Sequence, residues 1–126
     1  MIGIGTQQTA RHEAHRQRLE AAAEFYLRTC YGSRTAARAD EFAEYLCLAR
    51  PHLSRIVPRI IGVAVSDFLR NKQLAYAQQL LRTTPLSVEQ IALASAFGTG
   101  WTFHRCFKAS FGVTPAEYRR EVTKCE

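Results

Sequence analysis

Arg55 and Arg105 are the side chains from which a function can first be read. They stand 50 positions apart in matching surroundings, where Leu53 answers to Phe103 and Ile56 to Cys106. A guanidinium holds its donors in a rigid fork that can bond two acceptors together, on a carboxylate, a phosphate or the O6 and N7 edge of guanine. At helical spacing beside them lie Pro51 and Ser54 in one copy, and Trp101, Thr102 and His104 in the other. Ser, Thr and His can bond a base or a phosphate, and an indole can cover a thymine methyl. Arg50, Arg59, Arg70, Lys72 and Lys108 supply further positive charge of the kind that meets phosphates. The competing use for Arg55 and Arg105 is structural, each bracing its own unit on Glu44 or Glu89.

Other chemistries find little support. Cys30, Cys47, Cys106 and Cys125 are spaced 17, 59 and 19 apart, with no C-x-x-C pair and no His-rich tract. Neither a zinc site nor a disulfide frame is signalled, and free thiols are the expectation. An enzyme such as a methyl-accepting repair protein would need a reactive cysteine. Cys106 falls on an inward helical position, and no cysteine has a base beside it. No catalytic residue, metal or cofactor is expected. No apolar run approaches the ~20 residues of a membrane span, and no charged start leads into an apolar core. The expectation is a cytoplasmic protein with no membrane partner.

The elements that must carry these residues are written twice. Gly62 to Arg70 and Gly112 to Arg120 both read Gly-Val-x-x-small-acid-aromatic-x-Arg, at an offset of 50. Upstream the offset falls to 49, aligning Phe42-Ala43 with Ile91-Ala92 and Leu48 with Phe97. The turn in between therefore holds one extra residue in the second copy. An internal repeat of this length marks a duplicated supersecondary unit, and each copy reads as a helix-turn-helix.

The expected fold is all-α, two helix-turn-helix units joined by a long linker helix, with about seven helices. Residues 1–38 form a frayed start followed by a supporting helix from Thr9 to Cys30, with Leu19, Ala22, Ala23, Tyr26, Leu27 and Cys30 as its apolar stripe. Residues 39–65 hold the first unit, capped at Asp40, with Phe42, Ala43 and Leu46 inward. Its second helix starts at Arg50-Pro51 and buries Leu53, Ile56 and Val57. Pro58 costs ~3 kcal/mol inside a helix, which predicts a kink or stop at about Val57. Residues 66–83 are the linker, capped by Ser66, with Phe68, Leu69, Leu74, Ala77, Leu80 and Leu81 inward. Residues 84–126 hold the second unit and a closing helix. Ser87-Val-Glu-Gln90 and Thr114-Pro-Ala-Glu117 read as capping boxes, and Thr99 as the cap of a helix over 100–111.

Charge is placed as a nucleic-acid partner would require. The chain has 126 residues and a net charge of +6. Residues 45–116 hold eight basic side chains against Asp67 and Glu89 alone, a surplus equal to that whole net charge. A surplus so confined favours a polyanion, most simply double-stranded DNA.

From Asp40-Glu-Phe-Ala-Glu-Tyr-Leu through Pro-His-Leu-Ser-Arg55 to Ser-Asp-Phe-Leu-Arg70, and from Ile91-Ala92 to Phe-Gly-Val-Thr-Pro-Ala-Glu-Tyr-Arg119, the sequence resembles the AraC/XylS family of bacterial transcription regulators. The resemblance covers roughly residues 15–122. It implies two helix-turn-helix units on successive major grooves, usually as an activator that contacts RNA polymerase; a monomer on DNA is the expectation. By the same resemblance the base-reading positions fall on Pro51, Ser54, Arg55, Trp101, Thr102, His104 and Arg105. The chain departs from the family at Val57 and Pro58, where an aromatic and a basic residue are usual. It departs again at Cys47 and Ala96, usually Gly, and at Gly100, usually polar. With no room for an effector-sensing domain, it looks like the short single-domain members. The alternatives are a fragment of a larger effector-sensing regulator, or a degenerate member acting as a protein-interaction module.

Overall fold

The computed structural model describes residues 2–124, with side chains described from Arg11 to Thr123. Among them are seven helices and no strand. They are α1 (Ile2–Ser33), α2 (Ala39–Tyr45), α3 (Arg50–Ile60), α4 (Val65–Thr83), α5 (Val88–Ala94), α6 (Gly100–Phe111) and α7 (Pro115–Lys124). The fold is two helix-turn-helix units, α2–α3 and α5–α6, joined by α4. At 1.5 Å per residue the 19 residues of α4 span about 28 Å.

Two cores form along α4. Val65, Phe68 and Leu69 join Leu27, Phe42, Leu53 and Val57 in the first, where the stripe of α1 also lies. Leu74, Ala77 and Leu81 join Ile91, Ala92, Phe97, Phe103 and Phe107 in the second. The period of α4 puts its apolar face on one side throughout, so a single helix serves both. Tyr26 fastens α1 to the start of α2. Its hydroxyl donates to Glu41 Oε1 at 2.9 Å and accepts from the Arg38 backbone N–H at 3.0 Å. Burial pushes its phenol well above the usual range, so it serves as a neutral hydroxyl.

The duplication extends to the backbone. At the end of α2, Leu48 N–H bonds the Ala43 carbonyl and Cys47 N–H that of Glu44. At the end of α5, Phe97 N–H bonds Ala92 and Ala96 N–H bonds Leu93, 49 positions later. This paired pattern closes a helix through one left-handed residue. That residue is Cys47 (φ +58°) in the first copy and Ala96 (φ +65°) in the second. Gly98 (φ +83°) lies in the longer turn of the second copy.

Four expectations are corrected. Helix α1 begins at Ile2, not near Thr9, and so takes in Gly3 and Gly5 although each weakens a helix by about 1 kcal/mol relative to Ala. Helix α2 is preceded by Arg38, with no side-chain cap; Asp40 lies inside its first turn. Helix α4 likewise starts at Val65 behind Ala64, so Ser66 is within the helix and caps nothing. Of the kink or stop expected at about Val57, the stop does not occur: helix α3 runs to Ile60. The ladder resumes past Pro58 with Ile61 N–H to Val57 and Gly62 N–H to Pro58. The one carbonyl that loses its partner belongs to Ser54, an exposed residue within reach of water. The capping boxes at Ser87 and Thr114 and the Thr99 cap form as read.

Cys47 is exposed and holds a left-handed backbone that costs a residue with a Cβ more than glycine. Cys47→Gly should stabilise the fold by about 0.5–1 kcal/mol, read from denaturant unfolding. Ala96→Gly should gain less, because it also removes a buried methyl. A second prediction concerns acid. The Glu117 carboxylate is held below its usual range, first by the Thr114 backbone N–H, then by the Thr114 hydroxyl. A depressed carboxyl stabilises above its unfolded value and loses that contribution as pH falls through the folded one. Melting temperature should therefore drop as pH falls below the ordinary glutamate value of 4.5, and less so in Glu117→Gln.

Candidate nucleic-acid interface

The second helix of each unit has one buried and one open face. Leu53 and Val57 pin α3 to the first core; Phe103 and Phe107 pin α6 to the second. With those faces inward, Pro51, Ser54, Arg55 and Arg59 of α3 are exposed, as are Trp101, His104, Arg105 and Lys108 of α6. Trp101 is 72% exposed, in keeping with its place out of phase with Phe103 and Phe107. Neither helix contains an acidic residue.

The two leading arginines are free. Among the described residues neither Arg55 nor Arg105 takes part in an ion pair or side-chain hydrogen bond, so the brace on Glu44 or Glu89 does not form. Arg59 and Lys108 are likewise open. A guanidinium left in water keeps its fork for an incoming acceptor, whereas a committed one must first break a bond.

Other candidates are already engaged. Arg50 Nη1 donates to Ser54 Oγ, and Arg50 Nε lies 3.1 Å from Asp40 Oδ1 at an angle too poor for a hydrogen bond. Arg50 and Ser54 thus present a linked pair, not two independent groups. Arg70 Nη1 is 3.0 Å from Asp67 Oδ1, one turn back on α4. Lys72 turns toward α1, where its Nζ is 2.5 Å from Glu20 Oε2 and 3.7 Å from Glu24 Oε1, beneath which lies the Phe68 ring. Its charge is compensated inside the protein. Thr102 is half-buried, with its backbone N–H and its hydroxyl both bonded to the Thr99 hydroxyl.

His52 is exposed on α3 between Pro51 and Ser54, and was not among the sequence candidates. The repeat held the signal: His52 occupies the position of Thr102, 50 residues earlier. Among the described residues no cluster of three or more His, Cys, Asp or Glu side chains could hold a metal. Cys30 is buried, Cys47 exposed and Cys106 half-buried, and Cys125 lies outside the described residues. No described helix is long and apolar enough to cross a membrane.

Arg55→Ala and Arg105→Ala should each change unfolding free energy by no more than about 0.5 kcal/mol, since neither side chain supports the fold. Chemical denaturation checks this, and a larger loss would show an intramolecular role for the arginine concerned.

Comparison with known proteins agrees with this geometry. A helix-turn-helix domain family matches residues 42–121, well over half of the chain. The transcriptional activator AarP of Providencia stuartii is 32% identical over 84 residues, 67% of this chain and 62% of its own length. The transcriptional regulator ArgR of Pseudomonas aeruginosa is 34% identical over 82 residues, 65% of this chain but only 25% of its own. The chain thus spans less than two thirds of these curated relatives. The crystal structure of a Chromobacterium violaceum transcriptional regulator with an AraC-type DNA-binding domain superposes with a TM-score of 0.69 at 28% identity, covering 86% of this chain and 96% of that one. The chain belongs to the helix-turn-helix family of AraC-type DNA-binding domains.

Proposed function

We propose that this protein is a sequence-specific regulator of transcription that binds double-stranded DNA, with α3 and α6 entering successive segments of the major groove. The observation that carries the reading is the pair of exposed, unpartnered arginines, Arg55 and Arg105, at equivalent positions on two acid-free helices. Each meets the O6 and N7 of a guanine, a contact worth about 1–3 kcal/mol of discrimination. Pro51, Ser54, Trp101 and His104 line the same faces and meet base edges, with half-buried Thr102 contributing once its hydroxyl leaves that of Thr99. Arg59 and Lys108 meet phosphates, with Arg50 and Arg70 contributing once their pairs with Asp40 and Asp67 open. Lys72 has the weakest claim, being held by Glu20 and Glu24.

Because one chain carries both reading helices, it binds as a monomer, in the cytoplasm where bacterial-type DNA lies. The character of AarP as a transcriptional activator supports activation through contact with RNA polymerase. DNA binding itself involves no catalysis and no cofactor.

The test is selection of bound duplexes from a random pool of ~25 base pairs, followed by sequencing. Two enriched blocks about 10 base pairs apart are expected, with Arg55→Ala losing one and Arg105→Ala the other. Affinity should fall steeply with salt, at a logarithmic slope of about −0.9 for each phosphate neutralised. Absence of enrichment, or affinity indifferent to salt, would overturn the reading and favour a protein-interaction module.

A further inference from the structure

The two turns of the repeat share a backbone but not a setting. Cys47 and Ala96 occupy equivalent left-handed positions, yet Cys47 is exposed and Ala96 is 1% exposed. Ala96 belongs to the core of the other unit, packed with the stripe of α1. Its carbonyl accepts from the Ala37 backbone N–H at 3.0 Å, in the connection between α1 and α2. From the middle of α4, Gln73 Nε2 donates to that same carbonyl at 2.8 Å and to that of Ser95 at 3.1 Å. Gln73 is 6% exposed. On the far side of the turn a Cβ on Gly98 would stand 3.1 Å from Ala36 Cβ. Gly98 lies in the stretch that is one residue longer in the second copy than in the first.

We infer that this joint sets the spacing and rotational phase of the two reading helices, and that Gln73 is a positioning residue for target-site selection. The inference rests on the proposed reading of DNA by both units. Two helix-turn-helix units tied only by the ends of a helix could rock, and would accept several separations between their half-sites. Here the α5–α6 turn is bonded to α4 and to the α1–α2 connection at once, and at Gly98 it lies near enough to the Ala36 methyl that an added Cβ would crowd it. An unpaired carbonyl in this dry position is costly, so the joint resists opening. One inserted base pair turns the second block by about 35° and moves it about 3.4 Å, more than a locked pair can follow.

The experiment measures affinity for duplexes carrying the two selected blocks at their natural separation and at one or two base pairs more and fewer. The natural protein should lose about tenfold or more at each altered separation, as one reading helix disengages. Gln73→Met, which keeps the volume of the side chain and removes both donors, should flatten that penalty to within about threefold while lowering affinity at the natural separation. Gly98→Ala, which crowds the Ala36 methyl from the opposite side and strains the left-handed backbone of the same turn, should flatten it too and does not depend on the folding of the first variant. Natural protein that tolerates all separations equally would overturn the inference, as would a folded Gln73→Met or Gly98→Ala variant with the full penalty. Failure of the random pool to yield two blocks would strike the functional reading instead, so the two failures are distinct.

Discussion

The structure depends on one helix burying two different cores. Helix α4 gives Val65, Phe68 and Leu69 to the first and Leu74, Ala77 and Leu81 to the second. Between these runs comes Gln73, the one polar side chain of α4 that is buried. An amide in such a place must find acceptors or destabilise the fold. It finds them in the carbonyls of Ser95 and Ala96, left over where α5 ends. The helix that connects the units thereby also bonds one of them directly. Arg119 does similar work at the other end of α4, donating to the carbonyls of Leu81 and Thr84.

Duplication supplied two similar units, and their differences are where the asymmetry of the molecule lies. Leu46 of the first copy is Ser95 in the second, fully buried and donating to the Ile91 carbonyl at 2.5 Å. A smaller residue there leaves room for the turn to sit against its neighbour. The first turn keeps Cys47 in solvent. The long α1 covers the first core, whereas the short α7 closes the second through Tyr118, edge-on to Phe107 at 5.6 Å.

Charge follows the same division of labour. Carboxylates of α1 hold Lys72, and Asp40 and Asp67 hold Arg50 and Arg70. Among the described residues, what remains without a carboxylate partner is Arg55, Arg59, Arg105 and Lys108 on the open faces of α3 and α6, and Arg82 on α4, whose Nη1 donates to the Tyr118 hydroxyl. The basic surplus of residues 45–116 is thus narrower in space than in sequence, because some of its members are neutralised by acids from outside that segment or one turn away.

The sequence by itself determined the helices, their apolar faces and the duplication. These follow from local rules: a period of 3.6, a cap three residues before its partner, and a repeat at an offset of 49 and then 50. The outward direction of Arg55, Arg105 and Trp101 followed from phase against Leu53, Phe103 and Phe107. Helix starts at Asp40 and Ser66 were misplaced because a good capping residue is only one way to begin a helix, and tertiary packing carried Ala39 and Val65 into the first turn. The persistence of α3 beyond Pro58 goes with the exposure of Ser54, whose carbonyl loses its helical partner. Only the tertiary structure decided which basic residues are spent, since Lys72 meets Glu20 from 52 positions away. It alone decided that Ala96 is buried while Cys47 is not. Backbone conformation is set by neighbours along the chain, but burial and pairing are set by whatever the fold brings across from elsewhere.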